Sequence, residues 1–412
     1  MGSSLDVELD EAVEIIPDEL YWASTSSVPE DTASSRFFSV DRELVYEPFV
    51  MDFGPLSLAA TYRYCHKVSK LLQEERGRRR LVHVCSVEPE KRANAACLVG
   101  CFQIILLGRT ARDSWSRFAK VRQPFLPFRD ATYGATSEKL EISVVLRGLE
   151  KAIRLGWFDY HKFDAHFFEF YERVENGDFN WLIPNKMLAF AGPSPTSRDP
   201  NGYVVCTPED FISVFRSLGI SVVVRLNKQQ YDRQRFISNG IKHVDLYFAD
   251  GSCPKRQIID HFLDIAEHEA GALAVHCKAG LGRTATLIGL YAMKHYGMTG
   301  EEFIGWARLA RPGSILGQQH RFLIEMAPEM HQAGIAFRAK PSAGLPDDGV
   351  IEAVARRLEG MTLNPRDNAT ELVTPSSPFA KADKGQGQRL RDAKRVGQER
   401  AHGPSPVAAR FG

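Results

Sequence analysis

Short apolar runs and amphipathic stretches alternate along most of the chain. In the first half, LYWAS at 20–24, RFFSV at 36–40 and LVYEPFV at 44–50 read as strands, and RLVHVCS at 80–86 as a buried one. A helical period runs from Leu56 to Glu75. ANAACLVGCFQIILLG is apolar enough for a buried helix, and TARDSWSRFAKV opens on Thr110 with Asp113 three places on, a capping box with Asp in place of Glu. Further helical pattern over 140–175 closes on the stop signal Asn176-Gly177.

The second half repeats that outline. LAFAG and VVCTP read as strand and turn, PEDFISVFRSLG as a helix and ISVVVRLN as a buried strand. HVDLYF is another strand, IIDHFLDIAEHEA a helix, and ALAVHC a strand feeding a glycine-rich loop. Strands alternating with helices predict an α/β fold with parallel sheet members. RLVHVCSVEPEKRANAACLVG and ALAVHCKAGLGRTATLIG each run strand, His, Cys, loop, Arg, apolar helix, so the pattern predicts two copies of one unit. Past Phe337 apolar residues thin out. The composition there predicts a disordered tail, apart from a short helix around GVIEAVARRLEGM.

Composition narrows the function classes. A chain of 412 residues exceeds one ordinary core, which agrees with two domains. A formal net charge of +1 gives no bulk attraction to nucleic acid or anionic lipid, and no apolar run is long enough to span a bilayer. MGSSLD has the glycine of a myristoylation signal but Asp6 where the motif wants a hydroxyl. The seven cysteines are odd in number and form no CxxC pair, which predicts a reducing compartment, no zinc site, and no metal or other cofactor.

The candidate chemistry sits in VHCKAGLGRTATL at 275–287. The strand delivers Cys277 to the base of a loop over a helix N-terminus. Backbone N–H groups of Lys278, Ala279, Gly280, Leu281, Gly282 and Arg283 would point inward and, with the helix dipole, bind a dianion such as phosphate. The same field favours a thiolate at Cys277, and the planar fork of Arg283 matches two phosphate oxygens. Thiolate attack on phosphorus needs a leaving-group acid; Asp250 in LYFADGSCP is the candidate, a plain Asp-Gly turn the alternative. Hydrolysis of the thiophosphate needs an oriented water, for which GQQHRF offers Gln318 and Gln319. Thr284 either bonds the sulfur or starts the helix, and His276 holds the loop and helps stabilise the thiolate. The first copy, Ser86 to Arg92, has no glycine, a proline, and the carboxylates of Glu88 and Glu90. It reads as inactive.

With these residues assembled, the chain resembles the cell-division-cycle-fourteen phosphatases, the mitotic-exit branch of the dual-specificity cysteine phosphatases. RELVYEPFVMDFGPLSLAATYRYC, KRANAAC, LPFRDA, YERVENGDFNW, VRLNKQQYD, DLYFADGSCP, MKHYGMT and RPGSILGQQHRFL resemble the family in order, over roughly residues 15–330. The resemblance implies two tandem dual-specificity-phosphatase-like domains joined by a linker helix: 1–161 non-catalytic, 162–177 linker, 178–336 catalytic, 337–412 mostly disordered tail. It implies Cys277 as nucleophile, Arg283 as phosphate clamp, Asp250 as general acid and Gln319 as water-positioning residue. It further implies phosphoprotein substrates at Ser-Pro sites with Lys or Arg downstream, taken in an acidic groove. The matching acids are Asp130, Glu169 and Glu172, the last two spaced to share one helix face. A cell-cycle role in nucleus or cytoplasm, at centrosome, basal body or spindle, follows by the same resemblance. Three positions depart from the family pattern: Ala285 for glycine, Gln318 for proline, and Cys253 for a hydroxyl residue in the acid loop. The tail adds Ser377-Pro378, Ser405-Pro406 and a sparse basic cluster, Arg389, Arg391, Lys394 and Arg395, which reads as an aid to nuclear import.

Overall fold

A computed structural model describes residues 12–134, 138–199, 202–339 and 386–402. They divide into two compact units. The first is drawn from residues 12–170, 298–320 and 397–402, the second from 171–297, 321–339 and 386–396.

In the first unit, β1 (Val13–Ile16) and β2 (Leu20–Thr25) form an antiparallel hairpin. Strands β3 (Ser35–Phe38) and β4 (Arg80–Ser86) complete a sheet in the order β1-β2-β4-β3, with β4 parallel to both neighbours. The helix Leu58–Glu75 is capped by the Ser57 side chain, which accepts from Ala60 N–H. Pro89–Leu107 is buried from Arg92 to Ile104 at every position but Asn94, as its apolar sequence predicts. Thr110 caps Ala111–Ser116, but that helix tightens at once into the 3₁₀ turn Arg117–Lys120. LVYEPFV is no strand. Asp52 instead accepts from Tyr46 Oη and Val50 N–H, and Val45 and Met51 are exposed, so Pro48 lies in a looped segment. A two-stranded ribbon, β5 (Phe128–Arg129) with β6 (Lys139–Leu140), lies outside that sheet.

The segment 298–320 returns to this unit through its helix Gly300–Ala310, which crosses Ile142–Arg154 backbone to backbone. A Cβ on Gly148 would lie 2.4 Å from the Glu302 carbonyl oxygen, and one on Gly305 2.7 Å from that of Val144. Only glycine allows that approach. The Thr299–Glu302 capping box starts the returning helix.

The second unit has the sheet order β10-β9-β11-β8-β7. β7 (Phe179–Ile183) and β8 (Met187–Phe190) form the antiparallel hairpin, while β9 (Ile220–Arg225), β10 (Lys242–Asp245) and β11 (Ala272–His276) are parallel. Every residue of β11 is buried, and all but one of β9. That explains their unbroken apolar runs, since helices cover both faces of such a sheet. VVCTP forms only an isolated bridge, Arg198 to Val204.

Hairpin, central strand and next strand thus recur in the same order, β1-β2-β4-β3 and β7-β8-β11-β9. The ladders also fix which residues correspond. Hairpin closures Ile16↔Leu20 and Ile183↔Met187 lead to Leu20↔Leu81 and Met187↔Leu273. Three residues further on, Val84 corresponds to His276 and Cys85 to Cys277. The match of His83 with His276 suggested by the sequence is therefore off by one rung, because the first copy reads His-Val-Cys and the second His-Cys.

Two other expectations change. The linker helix spans only Ala165–Tyr171; Arg173 is extended, and its carbonyl is taken by Asn176 and Asp178 N–H before Gly177 ends a 3₁₀ turn. The tail, read as disordered, contains the helix Gln386–His402. GVIEAVARRLEGM, Ser377 and Ser405 lie outside the described residues.

Candidate active site

The loop after β11 is shaped by two close approaches. Gly280 has φ +69°, and a Cβ there would lie 2.1 Å from the Phe190 carbonyl oxygen. Gly192 passes beside the loop, where a Cβ would lie 2.5 Å from the Cys277 carbonyl oxygen, and its N–H donates to the Lys278 carbonyl at 3.0 Å. The helix Gly282–Tyr296 begins with no side-chain cap and no acid in its first turn. Its leading amides and dipole are therefore available to an anion.

Cys277, Arg283, Thr284 and Asp250 come together at this point. Arg283 is 3% exposed; Nη1 donates to the Phe248 carbonyl at 2.9 Å and Nη2 lies 3.0 Å from Asp250 Oδ1. Its Nε is buried with no hydrogen-bond partner among the described residues. The buried Thr284 hydroxyl has no hydrogen-bond partner among the described residues and lies close enough to the Cys277 thiol to lower its pKa. Burial pushes the Cys277 thiol up, but the Arg283 charge and the Thr284 hydroxyl and N–H outweigh it, and the thiol falls below its ordinary range. Asp250 lies after β10, about a third exposed, in a turn closed by Ser252 N–H on the Ala249 carbonyl with Gly251 at φ +74°. The turn and the ion pair with Arg283 coexist.

His276 is fully buried. Its Nδ1 lies 2.9 Å from the Cys277 carbonyl oxygen, which can only accept, so Nδ1 carries the proton. Nε2 must then accept from the Tyr231 hydroxyl at 2.7 Å, and the tyrosine oxygen in turn accepts from His243 Nε2 at 2.9 Å. Burial lowers both histidines to about 3, so they are neutral at physiological pH. His276 supports the thiolate by holding the loop, not by charge. Tyr231 and Gly192 escaped the sequence reading, because a tyrosine 45 residues upstream and a glycine after another strand carry no local signal.

Gln318 and Gln319 stand at the start of Gln318–Ala339, in the segment grouped with the first unit; Gln318 is exposed and Gln319 buried. Asp130 is not an exposed groove acid: it is 1% exposed, with Oδ2 on Gly317 N–H and Oδ1 on the Thr132 hydroxyl, both at 2.6 Å. Glu169 is held by both oxygens on Arg63. Glu172 directly follows that helix, Ala165–Tyr171, and is the second residue of the second unit. Cys253 is half-buried, and burial raises its thiol to about 11, the opposite of a reactive cysteine.

Comparison with known proteins agrees with this geometry. Residues 14–152 match the family model described as dual specificity protein phosphatase, N-terminal half, and 203–297 match that of a polymorphic toxin system DSP-PTPase phosphatase. Dual specificity protein phosphatase CDC14B of Mus musculus is 41% identical over 394 residues, covering 94% of this chain and 81% of that one. The chain belongs to the CDC14 family. CDC14C of Homo sapiens is 39% identical, covering 95% of this chain and 90% of that one. CDC14A of Mus musculus is 44% identical over 86% of this chain, but the match covers only 59% of that CDC14 protein. The fold is accordingly two dual-specificity-phosphatase-like domains.

Proposed function

We propose that this chain is a cysteine-dependent phosphoprotein phosphatase whose second unit carries the chemistry. Phosphate sits on the loop amides from Lys278 to Arg283 and on the Arg283 fork. The Cys277 thiolate attacks phosphorus; the S–P bond forms as the P–O bond to the side-chain oxygen breaks, and Asp250 gives that oxygen its proton. A water then attacks phosphorus, passes a proton to Asp250 and expels the thiolate, whose departure the Thr284 hydroxyl eases; the family resemblance makes Gln319 the candidate that orients this water. The observation that carries this reading is a buried cysteine with a lowered pKa beside an arginine that keeps one donor unpartnered.

For substrates we infer phosphoserine-proline sites with a basic residue downstream, and a role in cell division, from the family resemblance. Asp130, Glu169 and Glu172 enter as candidates for the basic residue only if their present partners yield. Turnover of a phosphoserine-proline-x-lysine peptide should exceed that of its phosphothreonine version and of a phosphoinositide, should persist in chelator, and should vanish in Cys277→Ser. A phosphoinositide preference would move the substrate class to lipids. Peptide turnover that survives Cys277→Ser would remove the mechanism.

A further inference from the structure

The basic cluster in the tail is not loose charge. Residues 386–396 of the helix Gln386–His402 lie against the second unit, directly on the candidate active site. Gly387 N–H donates to Asp250 Oδ2 at 2.8 Å, and a Cβ at Gly387 would lie 2.5 Å from Lys278 Cβ. One turn on, Leu390 is buried and Arg391 donates to the Gly192 carbonyl at 3.2 Å. Lys394 pairs with Asp178 at 2.5 Å, and Arg395 with Asp199 at 2.8 Å while stacking 3.9 Å from the Tyr203 ring centroid. Asp178 is only 2% exposed, a position costly for a carboxylate unless a cation or donors meet it. The helix also forms one wall of a cavity of about 550 Å³ whose other side includes Lys278.

We propose that Asp178, Asp199 and the Gly192 carbonyl form a docking ledge for a basic helix, and that residues 386–396 of the same chain occupy it as a lid. The inference rests on the phosphatase reading of Cys277 and Asp250. In the docked arrangement Asp250 spends Oδ1 on Arg283 and Oδ2 on Gly387, so it faces its own chain where a leaving group would be. Lys278, the first residue of the phosphate loop, is covered at the same time. A phosphoprotein must displace the helix, and because two ion pairs hold it, salt should loosen it.

The full chain and two full-length variants test this. Lys394→Glu/Arg395→Glu removes the ionic hold. Gly387→Pro removes the donated N–H and adds bulk against Lys278, at a first-turn position where proline is tolerated. Two rates are read: hydrolysis of p-nitrophenyl phosphate and carboxymethylation of Cys277 by iodoacetate, the latter independent of any phosphatase activity. Both variants should raise both rates by about fivefold or more, the scale of one to two weak ion pairs. Adding Asp178→Lys/Asp199→Arg to the charge variant should return both rates toward those of the parent. Rates within twofold of the parent in both variants overturn the lid. Faster carboxymethylation with no hydrolysis in any form would keep the lid and reject the phosphatase reading.

Discussion

The two loops that follow β4 and β11 begin from corresponding cysteines and diverge within three residues. Cys85 and Cys277 occupy the same rung of the same strand arrangement, and both are buried. Burial raises the Cys85 thiol to about 12, whereas Cys277 falls below the ordinary value because Arg283 and Thr284 face it. Three residues beyond each cysteine stand Glu88, at φ −59°, and Gly280, at φ +69°. The first loop meets its helix one residue sooner, and Pro89 then removes an amide from the first turn. Counting from the helix start, Glu90 holds the place that Arg283 holds. Even the first loop amide is spent, since Ser86 N–H donates to Asp41 at 2.7 Å. The Asp41 carboxylate, brought in from beyond β3, thus takes the amide that corresponds to Lys278 N–H in the second loop. The lesson is that a thiol at the end of a buried strand is inert by default; loop curl and a facing arginine make it reactive.

The sharpest way to break the comparison is to exchange sulfur for oxygen on both sides. Cys277→Ser should lower kcat/KM for a phosphopeptide by about 10⁴-fold or more, while Cys85→Ser leaves it unchanged. Loss of turnover in Cys85→Ser with folding intact would mean the first unit contributes to chemistry. The pH dependence of carboxymethylation separates the thiols without substrate. A thiolate is lost as pH falls through its pKa, so Cys277 should keep reacting at pH values where an ordinary thiol slows, while Cys85, raised to about 12, stays protonated and unreactive.

The acid comes next. Asp250→Asn should reduce kcat for a phosphoserine peptide by about 10²–10⁴-fold, and much less for p-nitrophenyl phosphate, whose leaving group needs little protonation. Asp41→Asn, at the first loop, should leave both rates alone. Equal losses for the two substrates in Asp250→Asn would assign Asp250 to orienting Arg283 instead.

Much of this arrangement was legible in the chain, and the exceptions share a cause. ISVVVR, ALAVHC and KAGLGRT declare strand, strand and anion loop through local composition: an unbroken apolar run marks a buried strand whatever pairs with it, and glycines in the turn before a helix mark the loop. What stayed hidden depends on partners far away. Nothing near Met298–His320 signals its return to the first unit; that is set by Gly148 and Gly305, whose missing side chains matter only when two helices cross. The resemblance marks Asp130 as an acid that holds a substrate cation, but one of its oxygens accepts from Gly317 N–H, 187 residues later. Lys394 and Arg395 read as tail charge because Asp178 and Asp199 lie about half the chain away. Tyr231 was silent for the same reason.

Backbone strain gives a smaller effect. Gly280→Ala places a side chain at positive φ and against the Phe190 carbonyl, and should destabilise the protein by about 1–3 kcal/mol. Glu88→Ala, at ordinary φ and with only the exposed Lys91 ion pair to lose, should stay within about 0.5 kcal/mol. Thermal unfolding of the two variants measures the difference, and similar shifts would show that the loops are conformationally alike.

The finest contrast lies one layer below the loops. Each unit buries a tyrosine on a histidine of its central strand: Tyr64 Oη lies 2.9 Å from His83 Nδ1, and Tyr231 Oη 2.7 Å from His276 Nε2. Only the second pair reaches a cysteine, because His276, one rung further along, spends its other nitrogen on the Cys277 carbonyl. Removing either hydroxyl strands buried ring nitrogens and should cost about 1–3 kcal/mol of stability. Tyr231→Phe should do more. Without the hydroxyl, His276 Nε2 is stranded and the Cys277 carbonyl alone still favours the Nδ1–H tautomer, so the ring is held from one side and the loop loosens around the sulfur. Carboxymethylation of Cys277 at pH 7 should therefore slow a few-fold in Tyr231→Phe and not at all in Tyr64→Phe, although both unfold more easily. Equal alkylation rates in the two variants would reduce Tyr231 to a packing residue and leave Arg283 and Thr284 as the whole difference between one cysteine and the other.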